Sequence, residues 1–432
     1  MKPVRLPLEL VFLIIENLWH DPVSLKSCSL VCSSWTSAAH SYLFRTLVLG
    51  KEWSELRPLC VFSQDIDPIQ TTRTLGVPSV ATQIYRDFLK FLTHAPGIVA
   101  KIHFLALAFR SRHSDPALYQ QEEVEVFSKI LVQLTRVATI HLGIHNWDTY
   151  PIELRDAVTT VIRQPSISKL SIRSYAYSTV SNLITLCRQS PGLKVLDIVY
   201  SLSCSGTLDQ DVPDIDVVDP VETVAHLEDL RISACSSSFI EWMLRPRCSL
   251  DIGSLRRLNL QLDTVSGSAV RSERAIQLIR KTAPHLEDLE LDGEIFMSIS
   301  IRERFYELDL SPNLRRLRLR GLQSSSTYSS AYILADMFSR LTISLPLEEL
   351  YMVIEIQCNG FFSDGSDAPL IWPAWRQVDK QLVCSELGQL RTVTIRLLIH
   401  AGLEDSERNM LDVFPAFRAR PGATLEISTK VL

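Results

Sequence analysis

Patterns that carry chemistry are missing from this sequence. There is no G-x-S-x-G, no H-E-x-x-H, no G-x-x-x-x-G-K and no C-x-x-C pair. Those patterns seat a serine nucleophile, a catalytic zinc, a nucleotide phosphate and a structural zinc. Cys28 and Cys32 could share a helical face, but no His or second Cys pair nearby completes a metal set, so they are read as core thiols. No Gly-rich phosphate loop follows any expected strand, which argues against a dinucleotide-binding open sheet. Nine Cys in 432 residues are too sparse for a secreted disulfide framework. No apolar run with a small-residue cleavage site opens the chain, and the run 11–15 is far too short to span a bilayer. A formal net charge of −5 argues against a broadly basic nucleic-acid binder. These absences imply a soluble intracellular protein, cytoplasmic and/or nuclear. They imply no catalytic residues, no cofactor, no metal, and neither nucleic acid nor membrane as partner. A Cys/His hydrolase, whose groups would meet only in space, stays open as the enzymatic alternative.

What is present begins with an apolar, helical opening. Of the 44 residues from 6 to 49, 25 are apolar, against 46% hydrophobic for the whole chain. Pro7 suits a first helical turn, and Glu9 favours the positive end of that helix. Asp21-Pro22 reads as a cap followed by a first-turn proline. A third helix is expected to hold Leu30, Val31, Trp35, Ala38, Ala39 and Leu43 at three- and four-residue spacing. In the first helix Leu10, Ile14 and Leu18 form one stripe, and Leu8, Phe12, Ile15 and Trp19 another. A surface helix ordinarily carries one apolar stripe. Some forty residues cannot bury two stripes in a core of their own, so another protein must cover the surplus.

The order Leu6-Pro7-x-Glu9-Leu10, then Ile14, Leu18, Asp21 and Leu25, then Leu30-Val31-Cys32-x-x-Trp35, Ala39 and Leu43-Phe44-Arg45 resembles an F-box. Pro22-Val23 after Asp21 is a mild departure from that pattern. The resemblance implies docking to a Skp-type adaptor and, through it, to a cullin of a ubiquitin ligase. The positions it makes adaptor-facing are Leu6, Pro7, Ile14, Leu18, Leu25, Leu30, Val31, Cys32 and Trp35. If these residues only capped a repeat array, the chain would be a binding module or scaffold acting outside a ubiquitin ligase.

The remainder carries an irregular L-x-x-L-x-L unit, as at Ile167/Leu170/Ile172, Leu255/Leu258/Leu260, Leu286/Leu289/Leu291 and Leu314/Leu317/Leu319. Its central positions recur every 26 to 43 residues from Ile102 to Leu425. Each unit alternates apolar and polar residues as a one-face-buried strand does. Helix-like stretches fill the intervals at 85–94, 122–135, 152–163, 180–188, 273–282, 331–341 and 376–386. Proline often follows such a stretch, as a stop signal. The fold class expected is α/β: a three-helix F-box at 1–49, a connecting segment with a first helix at 50–98, and a right-handed leucine-rich-repeat-like solenoid at 99–432. Its curved parallel sheet would line the concave side and its helices the convex side. The arrangement resembles repeat arrays that follow F-boxes in many fungal and animal proteins. The Asn or Cys that repeat family often places three residues after the last Leu is met only by Cys235.

Such a chain would capture an unknown protein substrate. Two candidate surfaces stand out. Arg316, Arg318 and Arg320 form a basic strand beside the acidic Asp288/Glu290/Asp292, so they either grip an acidic or phosphorylated segment or form cross-strand ion pairs. The insert 359–375 places Phe361, Phe362, Trp372 and Trp375 in an expected loop, either covering a core or presenting anchors to a partner. The acidic insert 208–222 lacks the Gly of a calcium loop and reads as solvated.

Overall fold

The computed structural model describes residues 7–18, 21–50, 78–109, 121–144, 147–174, 180–200, 224–233, 237–246, 248–261, 269–292, 312–324, 329–341, 344–356, 372–399 and 406–431. The chain divides into two compact units, Met1–Leu208 with Val212–Ala225, and Asp209–Asp211 with His226–Leu432.

The first unit opens with three helices: α1 (Leu8–Asn17), α2 (Pro22–Cys28) and α3 (Ser33–Leu43). Pro7 stands one residue before α1, in extended geometry and without a side-chain cap. Asp21 caps α2 as its sequence predicts. Its Oδ1 accepts the Val23 and Ser24 amides at 3.0 and 3.1 Å, with Pro22 at the first turn. That bonding, the Ser24 hydroxyl foremost, holds the Asp21 carboxyl below its ordinary range. Leu30 and Val31 lie in the turn before α3, not inside it as their spacing predicts. Val11, Ile15, Leu25, Ala38 and Ala39 form the buried centre of the bundle. Leu18, Cys28, Trp35, Tyr42 and Leu43 pack around it, partly buried.

The bundle runs straight into a sheet. After α3 the chain turns through Phe44 and Arg45 and forms β1 (Thr46–Gly50), a strand the repeat spacing does not reveal. It then supplies α4 (Pro78–His94), α5 (Pro96–Val99), β2 (Phe104–Phe109), α6 (Gln121–Gln133), β3 (Thr139–Ile144), α7 (Ile152–Ile162), β4 (Lys169–Ser174), α8 (Val180–Arg188) and β5 (Val195–Tyr200). The five strands pair in parallel in chain order. The Arg45 carbonyl accepts the His103 and Phe104 amides, each at 3.0 Å. Lys101 Nζ donates to the Ser37 carbonyl at 3.0 Å, and Phe44 meets Phe91 with ring centroids 5.8 Å apart. The middle of α3 and the turn that follows it are thereby fastened to the segment leading into β2 and to α4.

The second unit repeats the alternation with β6 (Asp229–Ser233), α9 (Ser237–Leu244), β7 (Arg257–Gln261), α10 (Ala269–Thr282), β8 (Asp288–Asp292), β9 (Arg316–Ser324), α11 (Ser330–Ser339), β10 (Glu349–Ile356), α12 (Trp372–Leu382), β11 (Thr392–Ile399), α13 (Ser406–Val413), α14 (Pro415–Arg418) and β12 (Thr424–Val431). These seven strands also pair in parallel in chain order. The leucines of each unit are the core: Leu286, Leu289, Leu291, Leu314, Leu317 and Leu319 are all buried. One bulge interrupts the ladder, where β9 places both Arg320 and Gly321 between partners that β10 spans with Val353 alone. Gly321 takes φ 62°, the left-handed geometry that such a bulge asks of one residue.

Asp379 of α12 is buried, and its carboxylate caps α14 by accepting the Ala416 and Phe417 amides at 2.9 and 2.8 Å. The expected loop 359–375 and helix 376–386 need correction. The helix already starts at Trp372, because Pro373 falls in its first turn, where no amide is required.

Candidate partner-docking surface

The bundle α1–α3 has one face for itself and one it leaves bare. On α1, Val11, Ile15 and Leu18 recur at the spacing of one helical face and turn toward α2 and α3. Leu10, Leu13 and Ile14 recur on the adjoining face and are exposed, as is Phe12. In the turn before α3, Leu30 is 85% exposed and Val31 62% exposed, and Val23 at the start of α2 is exposed as well. Monomeric surfaces seldom leave so many large apolar side chains together. Burying each fully would contribute about 1.5–3 kcal/mol.

The residues singled out by the motif therefore fall into three groups. Pro7, Ile14, Leu30, Val31 and Cys32 are exposed. Leu18 and Trp35 are partly buried and prop the bundle. Leu25 is completely enclosed and belongs to the core, so in this chain it supports the surface from beneath. Leu6 and Trp19 lie outside the described residues. Leu10, Phe12, Leu13 and Val23 are exposed apolar residues outside the set expected to face the adaptor. The signal that finds the first three is that α1 is apolar nearly all round; Val23, on α2, has no such signal. Cys32 is held below the usual thiol range by the hydroxyl of Ser34, 3.1 Å away, and by the Trp35 and Ser34 amides.

In the second unit the two charged strands pair in the register their sequence predicts: Asp288 beside Arg316, Glu290 beside Arg318, and Asp292 beside Arg320. The arginines are engaged by their neighbours. Arg316 Nε lies 3.2 Å from Asp288, and Arg318 Nη1 lies 3.4 Å from Asp288 and 3.7 Å from Glu290. Arg320 pairs with Glu290. Asp288 and Glu290 are buried while the arginines are about one-third exposed. The row is first a set of cross-strand ion pairs. Trp375 is fully buried and Trp372 half-buried in α12, so Trp375 covers a core and offers nothing to a partner. Phe361, Phe362, Cys235 and the acidic insert 208–222 lie outside the described residues.

Among the described residues no group of His, Cys, Asp and Glu could hold a metal ion. Nor is any described helix long and apolar enough to cross a membrane.

A bundle that builds its own small core and leaves an apolar face uncovered defines a docking module. Residues 4–50 match the family model described as F-box-like. The chain thus carries an F-box-like domain at its opening helices, and that domain points to an adaptor-binding component of the Skp–cullin–F-box type. A comparison with curated proteins found no match.

Proposed function

We propose that the chain is a substrate-recognition subunit of a Skp–cullin–F-box type ubiquitin ligase. The exposed face of α1 and the turn at Leu30-Val31 take the Skp-type adaptor, and through it a cullin. The strand–helix alternation of both units is read as a leucine-rich-repeat-like solenoid that takes a target protein. On this reading the chain makes and breaks no bonds itself. It acts by holding a target near a ubiquitin-conjugating enzyme, so its contribution to rate is proximity. The place of action is cytoplasmic and/or nuclear.

The observation that carries the reading is the exposure of Leu10, Leu13, Ile14, Leu30 and Val31 over a bundle whose own core is already filled by Val11, Ile15 and Leu25. The test is reconstitution of the full chain with a Skp-type adaptor and then with cullin. A stable binary complex that recruits cullin supports ligase membership. A binary complex that never recruits cullin supports adaptor binding outside a ligase. Failure to bind the adaptor at micromolar concentrations sinks the proposal.

A further inference from the structure

Buried polar groups in folded proteins are almost always hydrogen-bonded, and a buried guanidinium without an acceptor is among the costliest exceptions. The first unit holds such an exception on one face of its sheet. Arg173 of β4 is 7% exposed and His141 of β3 is 8% exposed. Neither Arg173 Nη1 nor His141 Nε2 has a hydrogen-bond partner. No carboxylate pairs with Arg173 among the described residues. Asp197, one strand over, is instead engaged by the Ser171 hydroxyl at 3.1 Å.

The two groups are neighbours by register. His141 pairs with Ser171, and Gly143, two residues on from His141, pairs with Arg173. On the far side His141 meets Ala106. The floor around the two nitrogens is thus Ala106, Gly143 and Ser171, all small and all buried. Phe104 stands against the imidazole, with ring centroids 4.8 Å apart. Lys169 lies two residues before Ser171 on the same strand face. The field there is positive. Burial and the charges of Lys169 and Arg173 push His141 down to about 3, so the imidazole is neutral at physiological pH.

We propose that this part of the sheet is a binding site for a phosphoryl group, with Arg173 donating to its oxygens and His141 and Lys169 completing the cradle. A planar guanidinium is the side chain best suited to paired oxyanion oxygens. Two cations and a neutral imidazole able to donate a hydrogen bond match a phosphate dianion better than a single carboxylate. The site is separate from the docking face of α1–α3, and the proposal stands even if adaptor binding fails.

The experiment is thermal denaturation and calorimetric titration of the full chain and of Arg173→Gln, at matched ionic strength. The probes are inorganic phosphate, a phosphoserine peptide, its unphosphorylated form, and acetate. The expected result is a saturable rise in Tm with phosphate that acetate does not reproduce, with affinity weakened at least tenfold in Arg173→Gln. Without phosphate, Arg173→Gln should melt no lower than the parent, because it removes an uncompensated charge. Equal response to inorganic phosphate and to the phosphopeptide identifies a small phosphate compound as the source. A phosphopeptide response at much lower concentration identifies a phosphorylated target segment. No response to either probe, an equal response to acetate, or an unchanged response in Arg173→Gln overturns the proposal.

Discussion

Leu30→Ala should separate docking from folding. The side chain is 85% exposed, so the free bundle has little to lose by its truncation. If an adaptor covers it, the substitution removes three carbons from an interface at about 0.8 kcal/mol each. Scaled by the fraction now exposed, the loss is about 2 kcal/mol, or roughly thirtyfold in Kd. Leu25→Ala is the opposite case. That residue is fully enclosed among Val11, Ile15, Ala38 and Ala39, and its truncation should destabilise the bundle by about 2–5 kcal/mol. The milder Leu25→Met should leave both fold and affinity within about 1.5 kcal/mol of the parent. Calorimetry or surface binding to a Skp-type adaptor gives Kd, and denaturant unfolding gives stability. The reasoning is refuted if Leu30→Ala binds like the parent, or if it lowers stability as Leu25→Ala does.

Asp379→Ala should destabilise the second unit by about 2–4 kcal/mol, measured by urea unfolding, because two amides of α14 lose a charged acceptor in a buried setting. Arg318→Gln should cost about 1–3 kcal/mol despite its partly exposed side chain, because Asp288 and Glu290 remain buried with one cation fewer. A parent-like midpoint would show that water screens those carboxylates. The first unit should lose stability in acid through His141. Its folded pKa is depressed to about 3 from 6.5, so the contribution is whole above about pH 6.5 and drains away as pH falls toward 3. At pH 4.5 the loss is about 2–3 kcal/mol at 1.4 kcal/mol per unit. Comparing His141→Gln with the parent at pH 7 and 4.5 isolates this component, and parallel pH curves would contradict it.

Strand positions were legible because the L-x-x-L-x-L unit is a physical address. Its first leucine tucks beneath the strand start, and its next two face the core. Leu286/Leu289/Leu291 and Leu314/Leu317/Leu319 obey it, and the Asp288–Arg316 register followed without further information. The cap at Asp21-Pro22 was legible for the same reason: a local bond satisfies a local need. Other features depend on what lies across space. β1 follows α3 after only Phe44 and Arg45, so most of it falls inside the stretch 1–49 expected to be the three-helix module. α12 hid behind Pro373, which breaks a helix only when it falls later than the first turn. Leu25 and Leu30 are the same residue type five positions apart, and nothing in the spacing says which one the bundle encloses. Arg173 and His141 occupy strand positions that alternation assigns to solvent. Only the assembled sheet shows them buried and without partners.

The bond set that fastens Phe44, Arg45 and Ser37 to residues 91–104 has a mechanical consequence. With no slack between α3 and β1, the helices behave as a handle bolted to a plate: whoever grips the handle fixes the bearing of the first five strands. A few glycines inserted between Phe44 and Thr46 would turn that bolt into a swivel while leaving both the grip and the plate intact.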